Sequence, residues 1–238
     1  MVSERQAALA ALDIIEWQWR PPEASCAALL PPEPAAAPLA DDDRAGVENL
    51  RWDALRARVA TCTACELCDA RTQTVFGVGD PQARLMIVGE APGAEEDRLG
   101  EPFVGPAGKL LDEMLLAIGL RREQVYICNI LKCRPPRNAD PTPVQAAACR
   151  PFLARQIALV EPVVILAVGR IAAQNLLQVN TPIGRLRGDS HSFTVNQHRI
   201  TPVWVTYHPA YLLRSPAEKS RAWEDLKKVR RALDAVPS

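Results

Sequence analysis

The chain has 238 residues, 48% of them hydrophobic, enough for one good domain plus additional sequence. No apolar run approaches the ~20 residues of a bilayer span, and the first apolar stretch, Ala7 to Ile15, is broken by Asp13 and lacks a basic leader. The expectation is a soluble, cytoplasmic protein with no membrane partner. A net charge of zero hides an asymmetry: residues 1–50 hold three Lys/Arg against nine Asp/Glu, and residues 51–238 hold 25 against 19. A basic body with an acidic appendage fits a polyanionic partner such as nucleic acid.

Ser3 and Gln6 have the spacing of a capping box, and Leu9, Leu12 and Ile15 follow at helical intervals before Trp17 and Trp19. Residues 1–20 therefore read as an amphipathic helix. Residues 21–46 read as a flexible Pro/Ala-rich acidic linker, because six prolines between Pro21 and Pro38 rule out regular structure. The body spans 47–238. Leu85–Val88, Val125–Ile130, Val163–Val168 and Val203–Tyr207 are short, β-branched-rich runs that predict strands buried on both faces. Helical patterns lie between them. One carries Leu111, Met114, Leu115 and Ile118 with Gly119 as its stop, and others cover Pro143–Val160, Arg170–Leu177 and Pro216–Leu233. The alternation predicts a three-layer α/β/α sandwich with a central parallel sheet. Ligands of such folds bind beyond the carboxyl ends of the strands, here the loops after Val88, Ile127, Val168 and Tyr207.

The first of these loops begins "GEAPGAEEDRLGEPFVGPAGK". Glycines between a strand and a helix usually suggest phosphate, but Glu90, Glu95, Glu96, Asp97 and Glu101 would repel it. "GPAGKL" ends like a P-loop yet has Leu110 where a hydroxyl must hold magnesium.

Seven cysteines in a cytoplasmic chain suggest metal ligands more than disulfides. Cys62 and Cys65 form a close pair, and Cys133 and Cys149 make a plausible second pair if the chain folds back. Four thiolates suit tetrahedral zinc or an iron–sulfur cluster, and the loose second pair favours a cluster. Cys68 is the competing ligand, Cys128 reads as a core residue, and Cys26 lies in the linker.

"GEAPG", "PFVGPAG", "NILKCRPPRN" and "HPAYLLR", in this order and with the four cysteines, resemble the family 4, iron–sulfur uracil-DNA glycosylases from about Val59 to Leu233. The resemblance implies a monofunctional DNA repair glycosylase. It would flip uracil out of DNA, hydrolyse its N-glycosidic bond and leave an abasic site. It implies a 4Fe–4S cluster on Cys62, Cys65, Cys133 and Cys149. It places Gly89 to Gly93 in the first catalytic motif, with Glu90 as the ionisable group and Gly89 and Ala91 against the base. Phe103 would stack on uracil, Asn129 would read its edge, and His208 would face its O2. Leu212, Leu213 and Arg214 would probe the DNA. Most of the remaining acids of the loop are expected on the solvated surface. A cross-linking branch of the family carries a histidine-containing insertion near Pro135–Pro143 that this chain lacks, so turnover is expected. A cluster- or zinc-stabilised DNA-binding module without turnover is the alternative. Arg5–Pro22 resembles the opening of the psi subunit of the bacterial clamp-loader assembly. That likeness implies a replication-machinery partner for residues 1–20, with the enzyme itself a monomer.

Overall fold

A computed structural model describes residues 46–196 and 199–236. These belong to a single compact unit. The helix expected over residues 1–20 and, Gly46 aside, the linker expected over residues 21–46, with Cys26 and the partner segment, lie outside the described residues. In chain order the elements are α1 (Trp52–Ala60), α2 (Leu67–Ala70), β1 (Val78–Gly79), β2 (Leu85–Gly89), α3 (Ala94–Leu99), α4 (Pro106–Ala117), β3 (Tyr126–Asn129), α5 (Pro143–Val160), β4 (Val164–Val168), α6 (Arg170–Leu177), α7 (Ile183–Leu186), β5 (His191–Asn196), β6 (Arg199–Thr206), α8 (Pro209–Arg214) and α9 (Lys219–Asp234). No helix among the described residues is long and apolar enough to cross a membrane.

The strands form one sheet in the order β1-β3-β2-β4-β6-β5. The inner four, β3, β2, β4 and β6, run parallel, as expected. The two edges do not: β1 and β5 pair antiparallel to their neighbours, so the sheet is mixed. Side-chain alternation sends the inner strands into two cores. Met86, Val88, Ile165 and Ala167 face Leu153 and Ile157 of α5 and Ala172 and Leu176 of α6. Leu85, Ile87, Val164 and Leu166 face Leu111 and Leu115 of α4 and Leu226 and Val229 of α9. Helices on both faces make the predicted three layers, and β2, β3 and β4 are buried along their whole length.

The helix ends follow local chemistry. Thr142 caps α5: its Oγ accepts from Gln145 N at 3.2 Å, and the Gln145 side chain accepts from Thr142 N at 2.9 Å. Gln145 also donates to Glu66 at 2.8 Å, which ties the segment after Cys65 to this helix. The last helix starts later than its pattern predicts, because Pro216–Glu218 forms a separate 3₁₀ turn.

At the end of β6, α9 supplies a buried carboxylate. Asp225 is 2% exposed and accepts from Arg187 Nε and from Thr206 Oγ, each at 2.8 Å. Removing one partner of a buried ion pair strands the other charge away from water. Asp225→Ala is expected to lower the unfolding free energy by about 3–5 kcal/mol, measured by urea denaturation. A loss under about 1 kcal/mol would show that solvent already satisfies Arg187.

Candidate active site

The site is assembled from the carboxyl ends of β2, β3 and β6. The pairing of β2 with β3 continues past both strands: Ile130 N donates to Gly89 O at 2.9 Å, and Leu131 N donates to Glu90 O at 3.0 Å. This locks the first motif beside Asn129. A Cβ on Gly89 would lie 2.4 Å from Asn129 Oδ1 and 2.6 Å from Phe103 Cζ, so glycine is required for the close approach. Asn129 is 2% exposed, and it lines the cleft.

Phe103 adopts a left-handed backbone, φ 55°. Arg122 holds that conformation by donating to the carbonyls of Pro102 and Phe103 while pairing with Asp112 at 3.2 Å. From behind, Gly108 of α4 is so close that a Cβ there would sit 1.8 Å from Phe103 O. The Phe103 ring stacks on His208, with centroids 5.6 Å apart and planes 28° apart.

His208 is the N-cap of α8. Its Nδ1 accepts from Ala210 N at 3.1 Å, so in the neutral ring Nε2 carries the proton and is the free donor. Burial, with Arg214 nearby, holds this imidazole down to about 4, against an opposing pull from Glu96. Burial also pushes the Glu90 carboxyl up to about 7; Asp140 adds to that rise and Arg170 opposes it. Asp140 and Arg170 themselves pair at 2.7 Å. Glu90, Ala91, Phe103, Asn129, His208, Tyr211 and Arg214 line one cleft of about 430 Å³. A second cavity of about 380 Å³, between α5, α6 and β5, has Arg150 as its one ionisable lining group.

The acids of the glycine-rich loop divide in a way the sequence reading did not foresee. Glu95 is surface, paired with Arg98 at 2.8 Å, and Glu101 is exposed. Glu96 and Asp97 are structural. Glu96 accepts from Gly93 N at 3.1 Å, Val104 N at 3.0 Å and Gly105 N at 3.2 Å, drawing the loop after β2 and the Phe103 loop together. Asp97 is 4% exposed and accepts from Thr72 N at 3.0 Å. The loop amides a phosphate would need are taken by a carboxylate of the same loop, and this removes the phosphate-binding reading. The three-residue offset from Gly93 to Glu96, a capping interval, was the available signal.

A second correction concerns the DNA-probing residues. Leu212 is 1% exposed and packs in the α4/α9 core, whereas Leu213 is 44% exposed and Arg214 is exposed beside it. The short helix α8 turns Leu212 inward and turns Tyr211, which the sequence reading left without a role, out to the cleft.

Cys62, Cys65, Cys133 and Cys149 line one enclosed space, together with Arg71, Lys132 and Phe152. Cys68 does not line it and donates to Asp69. Cys128 is fully buried in the α5/α6 core. No three His, Cys, Asp or Glu side chains among the described residues form a single-ion site. Arg71 donates to Cys133 Sγ at 3.1 Å, and Ala64 N donates to Cys62 Sγ at 3.5 Å. Burial pushes the Cys149 thiol up to about 12 and also raises Cys65 and Cys133. Ala91 packs against the same cysteine group, which places it between that group and the cleft.

The chain matches the family model of the uracil DNA glycosylase superfamily over residues 76–227, a span that holds the whole cleft. It is similar to the type-4 uracil-DNA glycosylase of Archaeoglobus fulgidus, with 44% identity over 74% of this chain and 90% of the relative. The type-4 uracil-DNA glycosylase of Thermotoga maritima is 44% identical over 73% of this chain and 90% of the relative. A type-5 uracil-DNA glycosylase of Thermus thermophilus is 33% identical over 64% of this chain and 85% of the relative. Motif order, fold, identity and coverage agree: the chain belongs to the uracil-DNA glycosylase superfamily and, within it, to the type-4 uracil-DNA glycosylases.

Proposed function

We propose that this chain excises uracil from DNA by hydrolysing the N-glycosidic bond, with Glu90, Phe103, Asn129 and His208 as the working side chains. The observation that carries this reading is their convergence on one cleft, with Asn129 buried at its base-facing wall. Uracil is flat and neutral, so it needs a ring to stack on and a few placed polar groups. Phe103 supplies the ring. The Asn129 amide donates through its NH₂ and accepts through its oxygen, which suits the O4 and N3–H edge of uracil. An amide held in that orientation is mismatched by cytosine, which presents an amino group and a bare N3 there.

The target nucleotide must leave the helix to enter the cleft. As the C1′–N1 bond breaks, its electron pair moves onto uracil and the sugar becomes cation-like. His208 Nε2–H donates to the uracil oxygen that gains charge. A neutral donor suffices here, because the leaving group is stabilised by a hydrogen bond and needs no full proton transfer. The Glu90 carboxylate favours the cationic sugar. Water then attacks C1′, its hydroxyl stays on the sugar, and its proton completes the released uracil. Among the described residues no lysine lines the cleft; Lys132 turns toward the cysteine cavity and donates to Asn129 O at 2.8 Å. An abasic site in an unbroken strand is the product.

Cys62, Cys65, Cys133 and Cys149 would hold a 4Fe–4S cluster. Buried thiols with raised pKa values ionise at neutral pH when iron takes up their charge, and N–H···S bonds of the kind made by Arg71 and Ala64 stabilise bound thiolates. When bound, the cluster supplies a cross-link between the Cys62–Cys65 segment and the chain that continues from β3. The base-reading Asn129 lies just four residues before Cys133 on that chain.

Uracil-containing oligonucleotides are expected to lose uracil and remain intact until alkali is added. A strand broken before alkali would contradict the monofunctional assignment. His208→Ala is expected to reduce the single-turnover rate by about 10²–10³ with little change in DNA affinity. The rate should rise with pH through about 7 as Glu90 ionises, because the anionic form is the active one. In Glu90→Gln that limb should disappear; if it persists, another group is titrating. Purified protein should contain iron and show the brown absorbance of a cluster. Cys149→Ala should lose both and Cys68→Ala neither, and zinc without iron in anaerobically purified wild type would refute the cluster.

A further inference from the structure

Tyr211 stands on the outward face of α8, three residues from both His208 and Arg214, and lines the cleft with them. It is 37% exposed and belongs to neither hydrophobic core. Its ring is nonetheless held from behind. The Tyr207 ring lies 5.1 Å away, tilted by 47°, and itself packs on the α4/α9 core. The Arg187 guanidinium sits 4.3 Å from the centre of the Tyr207 ring. Arg187 is fixed in turn by the buried Asp225 and by the Arg221 carbonyl at 2.6 Å. A chain of contacts from the core thus ends in one exposed aromatic ring at the mouth of the cleft. Arg214 beside it has no ion-pair partner among the described residues.

We propose that Tyr211, backed by Tyr207, is a stacking subsite for the nucleobase adjoining uracil on the substrate strand. The proposal rests on the glycosylase reading of the cleft. A nucleotide drawn into the cleft leaves its neighbour with one bare face. Every nucleobase has a flat π-face, so an aromatic ring can cover it whatever the sequence. A ring supported from behind keeps its position when a base leans on it, and Arg214 offers charge to the adjoining phosphates. The buried Leu212 cannot play this part without leaving the core.

The test uses single-stranded uracil oligonucleotides in which the 5′ or the 3′ neighbour of uracil is replaced by a baseless tetrahydrofuran residue. With the full-length wild-type chain, KM should rise about tenfold on one of the two baseless substrates. Tyr211→Ala should show a similar rise on the intact oligonucleotide and no longer respond to the missing base, whereas Tyr211→Phe should behave as wild type. The proposal is overturned if Tyr211→Ala keeps the wild-type KM, or if its effect multiplies with base removal on both sides. Failure of the wild type to release uracil from any of the substrates would instead defeat the glycosylase reading, and this subsite with it.

Discussion

No side chain fits at Gly89, and much of the cleft depends on that restriction. Because β2 ends there as bare backbone, Asn129 and the Phe103 ring can approach from two sides. Phe103 reaches that place only through a left-handed backbone that is strained for a bulky residue, and this costs on the order of 1–3 kcal/mol. Three contacts offset the strain: Arg122 on the carbonyls, Gly108 pressed against the same segment, and Glu96 on the amides that follow. None of the three need touch the base. They act by holding one ring where a flat ligand can lie against it.

The same enclosure acts in opposite directions on the two ionisable groups of the cleft. Removal from water disfavours any charge, so it raises an acid and lowers a base. At neutral pH His208 is therefore uncharged, and Glu90 is near the middle of its titration. Donor and acceptor are in place before charge develops on sugar and base, so little reorganisation is needed as the bond breaks.

The inner strands were legible in the sequence because a strand buried on both faces must be apolar at every position, as Leu85 to Val88 are. The edge strands were not. β1 has only two residues, and β5 is half-exposed with mixed polarity, so neither leaves a periodic signature. The cysteines were legible as two pairs, but only the folded chain separates Cys68 from Cys65 by turning it toward Asp69. Glu96 and Asp97 were misread because a run of acids looks the same whether it faces water or backbone amides. Leu212 was misread for a related reason: "HPAYLLR" was taken as a loop, and the helical turn that sorts Tyr211 from Leu212 is not visible in composition.

The burial of Asn129 has a consequence for how undamaged DNA is handled. The side chain sits where water has little access, so an occupant that fails to match it leaves a buried polar group unsatisfied. Selection made this way is a penalty on the wrong base more than a reward for the right one. Such an enzyme need not grip DNA tightly to be accurate. With Asn129 reading the base as proposed, it can pass along long stretches of ordinary sequence with brief, weak contacts, cytosine being turned away at the bottom of the pocket and not at the surface of the helix.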